Sequence, residues 1–310
     1  MIAKWKAKAI VQKGISYLPQ KEKVNYFFQK YVTKGVFLTD DYFTYKITHA
    51  KDHLRYFRQY STKDFKNSAF LELGTGWYAI VPIAMYLSDF QDITSIDIQM
   101  WMTKESQITT IEKFVEWRKN KMLASYLPEI NEDKWAALVQ ILEEKDTLSK
   151  EDINKTIYLK THIQDARKTK FDDHSFDFIC SNNTFEHIPK AILIDILQEF
   201  KRLIAKDGVM SHFIDMSDHF AHFDETINIY NFLQFPQKTW NWIDNSIQPQ
   251  NRLRFKDYKE IYNNLMIPIT DEDYIKGDIG LLKEVRLADM YKGYTNEELA
   301  ISHGYIVSQF

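Results

Sequence analysis

The stretch Ala69-Phe-Leu-Glu-Leu-Gly-Thr-Gly-Trp-Tyr78 decides the fold. Ala69 to Gly74 reads as a short buried strand, and Trp77 to Ser88 as an apolar helix that follows it after a tight turn. Glycine is scarce, nine in 310 residues, where an average composition of about 7% would give roughly 22. Gly74 and Gly76 form the one pair spaced two apart directly behind an apolar run. Lacking a Cβ, both let the backbone turn sharply and let a ligand approach it closely. The helix that follows offers free N–H groups and a positive dipole end at the same place.

Outward from this turn, short β-rich runs alternate with longer amphipathic ones. Ile93–Ile98 is a second strand, Ile157–Ile163 a third, Phe176–Ser181 a fourth and Val209–Met216 a fifth. Pro189 opens an amphipathic helix carrying Ile192, Ile196, Leu197, Phe200, Leu203 and Ile204, with Asp207-Gly208 expected to close it. Two segments depart from the alternation: residues 101–155, helical by pattern, and residues 217–251, aromatic and polar. Arg252–Leu265 reads as a helix, Met266–Ile275 as a sixth strand, residues 296–301 as an inserted helix and Gly304–Phe310 as a last strand. The sum is an α/β fold, a doubly wound, mostly parallel Rossmann-like sheet with helices on both faces and insertions after strands 2 and 5. The expected organisation is an N-terminal helical segment, residues 1–66, covering the cleft, and a main domain over residues 67–310.

Composition narrows the classes further. The 40 basic and 43 acidic side chains leave a net charge of −3, without the basic excess of a protein built to hold nucleic acid. The charge is uneven: Lys4, Lys6, Lys8, Lys13, Lys21, Lys23, Lys30 and Lys34 stand against Glu22 alone in residues 1–35. Interleaved with Trp5, Ile10, Val11, Ile15 and Leu18, that segment suits either a cover over the cleft or an anionic membrane surface. A single cysteine, Cys180, excludes an internal disulfide and a cysteine metal cluster and suits a reducing compartment. Inside an apolar strand it reads as core. The longest apolar run is too short for the roughly 20 residues of a bilayer span, and a cytoplasmic location is expected.

In open α/β sheets ligands sit beyond the carboxyl ends of the strands. Acidic or polar residues stand at four successive strand ends: Glu72 with Gly74-Thr75-Gly76-Trp77, Asp97-Ile98, Asp165-Ala166, and the run Ser181-Asn182-Asn183-Thr184-Phe185-Glu186-His187. This constellation resembles the class I S-adenosylmethionine-dependent methyltransferases, whose first motif is an acid, any residue, Gly, any residue, Gly. The resemblance covers roughly residues 67–216 and implies S-adenosylmethionine as cofactor. It places Asp97 on the ribose hydroxyls, Asp165 and Ala166 by the adenine, and a Glu-His pair, Glu186-His187, before the next helix. Asn182 and Asn183 suit either ligand contact or a turn. The third position that is often glycine is Tyr78 here. A dinucleotide cradle, Gly-x-Gly-x-x-Gly, would place its third glycine at Ala79, so a nicotinamide oxidoreductase stands as an alternative, as does a cofactor-binding regulatory protein without transfer activity.

The acceptor side is expected at the ends of the fourth and fifth strands. Residues 211–224 hold three histidines and three aspartates: His212, Asp215, Asp218, His219, His222 and Asp224. His219 or His222 suits a general base, with Asp215 and His187 beside them. Alternatively the same acids and histidines ligate a divalent metal, or form hydrogen-bonded loop structure with Asp218 or Asp224 as helix caps. The reading carried forward is methylation, at oxygen, of a small-molecule or carbohydrate-like acceptor by a histidine base without a resident metal. Arg252 and Arg254, behind the aromatic insertion, either pair with an anionic acceptor or pack the insertion.

Overall fold

A computed structural model describes residues 3–18 and 37–310. Lys21, Lys23, Lys30 and Lys34 of the basic segment lie outside the described residues. The elements run α1 (Lys4–Ile15), α2 (Asp40–Tyr60), β1 (Ala69–Leu73), α3 (Ile80–Leu87), β2 (Asp92–Asp97), α4 (Lys104–Lys119), α5 (Glu132–Glu143), α6 (Lys150–Thr156) and β3 (Leu159–Ile163). After them come β4 (Phe176–Asn182), α7 (Lys190–Leu203), β5 (Ile204–Asp215), α8 (Gln237–Ile243), α9 (Phe255–Asn264), β6 (Asp271–Ile275), α10 (Ile279–Lys283), α11 (Asn296–Ala300) and β7 (His303–Gln309).

The seven strands form one sheet in the order β3-β2-β1-β4-β5-β7-β6. β1 to β5 are parallel, and β7 runs antiparallel between β5 and β6. Alternate side chains bury opposite faces. Phe70, Ile93, Phe178 and Val209 pack with α2, α3 and α4, while Leu71, Ile96, Ile179 and Met210 pack with α7 and α9. Cys180 is a fully buried member of the first face. β1 and β4 adjoin where the connections diverge, which opens the crevice of a doubly wound sheet over their carboxyl ends.

Two local expectations are corrected. The helix after the glycine turn begins at Ile80, because Ala79 still has a non-helical ψ of 44°; Trp77 and Tyr78 therefore belong to the turn. Gly208 does not end a helix: α7 stops at Leu203, and β5 starts directly at extended Ile204. Gly208 instead serves an irregularity in which the β4–β5 register shifts, beside Asp207 at φ 61°, where a Cβ would meet the Ala205 carbonyl at 2.8 Å.

The two insertions pack differently. Residues 101–155 supply α4 to α6, whose Ile111, Phe114, Trp117, Leu138 and Ile141 enter the core. Residues 217–251 build a separate apolar cluster, with Phe220, Tyr230, Phe232 and Trp240 buried around Trp5 and Ala9 of α1. The Trp5 N–H donates to Asp224 Oδ2 at 2.8 Å, and Lys13 donates to the Asn241 and Asp244 carbonyls at 3.0 and 2.7 Å. α1 thus docks on the aromatic insertion. Among the described residues no helix is long and apolar enough to cross a membrane.

Candidate active site

A cleft of about 470 Å³ opens over the carboxyl ends of β1 to β4, within the usual size of a small-molecule site, roughly 300–1,000 Å³. Gly74, Asp97, Ile98, Asp165, Ala166 and His187 all line it. Gly74 and Gly76 hold φ of 80° and 73°, the left-handed region that disfavours a Cβ. At Gly74 an added Cβ would lie 2.5 Å from Thr184 Oγ1, so the turn is pressed against the β4 loop; at Gly76 the space is open.

Glu72 is buried beneath the turn and accepts a hydrogen bond from the Thr75 hydroxyl at 2.6 Å; the Thr75 hydroxyl also lies 2.5 Å from that of Ser95. Burial pushes the Glu72 carboxyl up to about 7, against the opposing pull of Thr75 and Lys46. Asp97 accepts from the Gly76 N–H at 3.3 Å and the Gln99 N–H at 3.4 Å, which aims the second-strand carboxylate at the glycine turn. Burial raises its pKa as well. Asp165 is exposed at the cleft mouth and tied to Arg167, whose Nε donates to it at 2.9 Å. Trp77 packs at a tilt against Trp101, which lines the cleft, with ring centroids 4.8 Å apart.

Asn182 and Asn183 point elsewhere. Asn182 Oδ1 accepts from His53 Nε2 at 2.9 Å inside the molecule, and the Asn183 amide donates to the Tyr45 hydroxyl at 2.9 Å on the α2 side. Several lining groups had no signal at the level of spacing: Gln99, Trp101, Gln164 and the segment around Ser246, Ile247 and Pro249.

The histidine-rich loop gathers around one carboxylate. Asp215 lies 3.5 Å from His219 Nε2, 3.8 Å from His222 Nε2 and 3.2 Å from His303 Nε2. Burial works against the charged form of Asp215, yet the three imidazoles outweigh it and hold the carboxyl well below its ordinary value. His222, more than half exposed, has its pKa raised by the Asp215 carboxylate. His303 is placed by topology alone, since the antiparallel register sets it directly across from Asp215. His187 stands between this cluster and the cleft, its ring centroid 5.0 Å from that of His219. Burial, followed by repulsion from His219, lowers its pKa to about 4.

Behind these groups sits Lys46 of α2, whose ammonium donates to Asn182 O at 3.4 Å and Asn183 Oδ1 at 3.3 Å; burial lowers its pKa. Glu186, 2% exposed, has its carboxyl raised well above the ordinary range, first by burial and then by Asp215.

The remaining candidates are structural. Asp218 accepts from the Phe220 N–H and the Asn231 amide, and Asp224 from Trp5 and Thr226, so these two acids cap loops and anchor α1. His212 is fully buried with Nδ1 at 2.8 Å from Ser181 Oγ. Of the two readings of Arg252 and Arg254, packing holds. Arg254 donates to the carbonyls of Met216, Leu299 and Ile301, and Arg252 to those of Phe232 and Phe235.

Residues 123–211, from the helical insertion through the fourth strand into the fifth, match the model of the methyltransferase domain family. The match joins a strand order, a glycine turn and a strand-end acid that already form one nucleoside-sized cleft. Over that segment the chain is similar to the methyltransferase domain family. Among solved structures the chain is similar to the PH0226 protein from Pyrococcus horikoshii OT3, at 12% identity over 91% of this chain and 97% of that one, TM-score 0.49. It is also similar to geranyl diphosphate C-methyltransferase from Streptomyces coelicolor A3(2), solved with S-adenosylhomocysteine, at 8% identity over 83% and 78%, TM-score 0.44. A third is phosphoethanolamine N-methyltransferase 2 from Haemonchus contortus, at 11% identity over 83% and 52%, TM-score 0.44. A search of curated proteins finds no sequence match.

Proposed function

We propose that this chain is a class I methyltransferase that uses S-adenosylmethionine and acts at an oxygen of a small-molecule or carbohydrate-like acceptor, with the histidines around Asp215 taking the acceptor's proton. The observation that carries the reading is the convergence of His219, His222 and His303 on one buried carboxylate beside the cleft. Gly74, Thr75, Gly76 and Asp97 are the residues we assign to the cofactor's nucleoside and tail, with Ile98, Ala166 and Trp101 as apolar walls and Asp165 at the rim. When bound, the cofactor supplies an electrophilic methyl: the bond to the acceptor oxygen forms as the carbon–sulfur bond breaks, its electrons neutralising the sulfonium.

The chain's own part is to orient the acceptor and remove one proton. Asp215 fixes the rings of His219 and His222 and stabilises the imidazolium that results. His222, the exposed one of the two, passes the proton to solvent. His187 separates this basin from the cleft and sets where the acceptor oxygen stands. We extend the proposal to residues 1–66 as a cover: α2 brings Tyr45 and Lys46 against the β4 loop, and α1 braces the aromatic insertion. A small-molecule partner, and not a nucleic acid, accords with the net charge of −3; a reducing cytoplasmic setting is part of the same proposal, and for residues 1–35 the cover is preferred to an anionic membrane surface. The test incubates the enzyme with a methyl-labelled donor and a panel of hydroxylated, aminated and thiolated acceptors, followed by mass spectrometry. Labelled ethers or esters are the expected products; label exclusively on nitrogen, sulfur or carbon contradicts the reading.

A further inference from the structure

Among the described residues, one group of metal-ligating side chains converges closely enough to hold an ion: Glu186, His187 and His219, each offering one ligand atom within 4.8 Å of the other two. We propose that these three residues form a binding site for one divalent transition-metal ion, of the zinc, cobalt or manganese type, on the inner wall of the cofactor cleft. This departs from the metal-free expectation drawn from sequence, and it uses different residues from the acidic loop considered there, since Asp218 and Asp224 are occupied in loop capping.

Three features of the site suit a cation. Neither carboxylate oxygen of Glu186 receives a hydrogen bond of good geometry, its own N–H and the Asn183 amide approaching it only loosely, although the residue is 2% exposed. A buried carboxyl in that condition keeps its proton, and a bound cation would take that proton's place. Lys46, the nearby ammonium, is engaged with Asn182 and Asn183 instead. His219 Nε2 is likewise buried without a hydrogen-bond partner, Asp215 standing 3.5 Å away. His187 Nδ1 lies 2.7 Å from the Pro249 carbonyl. A carbonyl only accepts, so Nδ1 carries the proton and Nε2 presents its lone pair, the carbonyl–imidazole arrangement that orients metal-bound histidines.

Two imidazoles and one carboxylate suit first-row transition ions with bonds of about 2.0–2.2 Å, and not magnesium or calcium, which take oxygen ligands. The three ligands come from the short turn after β4 and the loop after β5, outside the sheet itself. Asp215 then lies beside the ion as a hydrogen-bond acceptor for an oxygen bound to it. Resting on the acceptor reading above, the ion's role is to bind the acceptor's hydroxyl oxygen and lower its pKa, the proton leaving to His222. Ion binding itself does not depend on that reading.

The test uses untagged full-length enzyme stripped with chelator and titrated with Co²⁺, then Zn²⁺, following the visible ligand-field band and bound metal per chain. One ion per chain with a tetrahedral or five-coordinate cobalt spectrum is expected. Glu186→Gln and His219→Gln should each weaken binding by at least about 10–100-fold, the loss known for even outer-shell partners, while S-adenosylhomocysteine still raises Tm as in wild type. Wild-type enzyme that binds no cobalt or zinc, or variants that bind as wild type does, overturns the site whether or not either variant folds well. Stoichiometric binding with chelator-insensitive labelling of a hydroxyl acceptor would leave the site in place and overturn its role. An acceptor that proves to be nitrogen or carbon is read separately, from the product's mass spectrum.

Discussion

Two halves of one sheet edge handle charge in opposite ways. At the ends of β1, β2 and β3 every acid has its own local partner: Glu72 the Thr75 hydroxyl, Asp97 the Gly76 and Gln99 amides, Asp165 the Arg167 side chain. Between them lies an open, largely apolar cleft. At the ends of β4 and β5, Glu186, His187, Asp215, His219, His222 and His303 crowd together, and buried donors and acceptors are left without hydrogen-bond partners. A half that is satisfied in isolation is preformed to bind, whereas one that holds buried charge in mutual dependence is poised to move a proton or hold an ion. Binding and chemistry are thus separated along the edge, and substitutions should separate them too.

The largest effect expected is on rate. Asp215→Asn removes the carboxylate that fixes three imidazoles, so methyl transfer should fall by about 10²–10⁴-fold, the range for loss of general base catalysis, with the S-adenosylhomocysteine affinity within about twofold of wild type. A parallel loss of affinity in a calorimetric titration would dissolve the comparison. Next comes Gly74→Val. A β-branched residue at φ 80° with its Cβ pressed on Thr184 stores about 1–3 kcal/mol of backbone strain, before the contact with Thr184 is counted. Cofactor affinity should fall by up to ~100-fold, and unchanged affinity would remove the glycine turn from the binding half.

Glu72 offers a pH test of the same half. Its folded-state pKa of about 7 lies above the ordinary carboxyl value, so its contribution to stability is full below the unfolded pKa and is lost as pH rises through the folded one. At about 1.36 kcal/mol per pKa unit the loss approaches ~3 kcal/mol. Ligand-free wild type should therefore lose more Tm between pH 5 and pH 8 than Glu72→Gln, by several degrees in calorimetry; identical pH profiles would show that the carboxylate is not strained by burial. The smallest effect is at Trp101→Ala, which opens one apolar wall and should weaken cofactor binding by about tenfold, near 1.4 kcal/mol, without changing the transfer rate at saturating cofactor.

The binding half was legible in the sequence because its groups follow strand ends at fixed places in a periodic pattern. Ala69–Gly76, Asp97 and Asp165 could be placed once the alternation of strand and helix was recognised, and the mostly parallel sheet followed from the same alternation. The other half is assembled from four separated segments. Asp215, His219 and His222 stand out through local density, but His303 reaches Asp215 only through the β5–β7 register, and Lys46 only through the packing of α2 on the sheet. Glu186 and His187 were visible as a pair, yet nothing local says that the carboxylate is left unpaired while the imidazole lines the cleft. Asn182 and Asn183 illustrate the converse: strand-end position suggested the ligand, but His53 and Tyr45 claim their side chains. For Arg252 and Arg254 the sequence leaves open an anionic acceptor or packing of the insertion, and in the fold both donate to backbone carbonyls.

The division of the edge is tested most directly by titrating S-adenosylhomocysteine into Asp97→Ala and Asp215→Asn side by side. The account predicts at least a tenfold loss of affinity, about 1.4 kcal/mol, for Asp97→Ala and an unchanged Kd for Asp215→Asn. The reverse pattern, with Asp215→Asn the weaker binder, would contradict it.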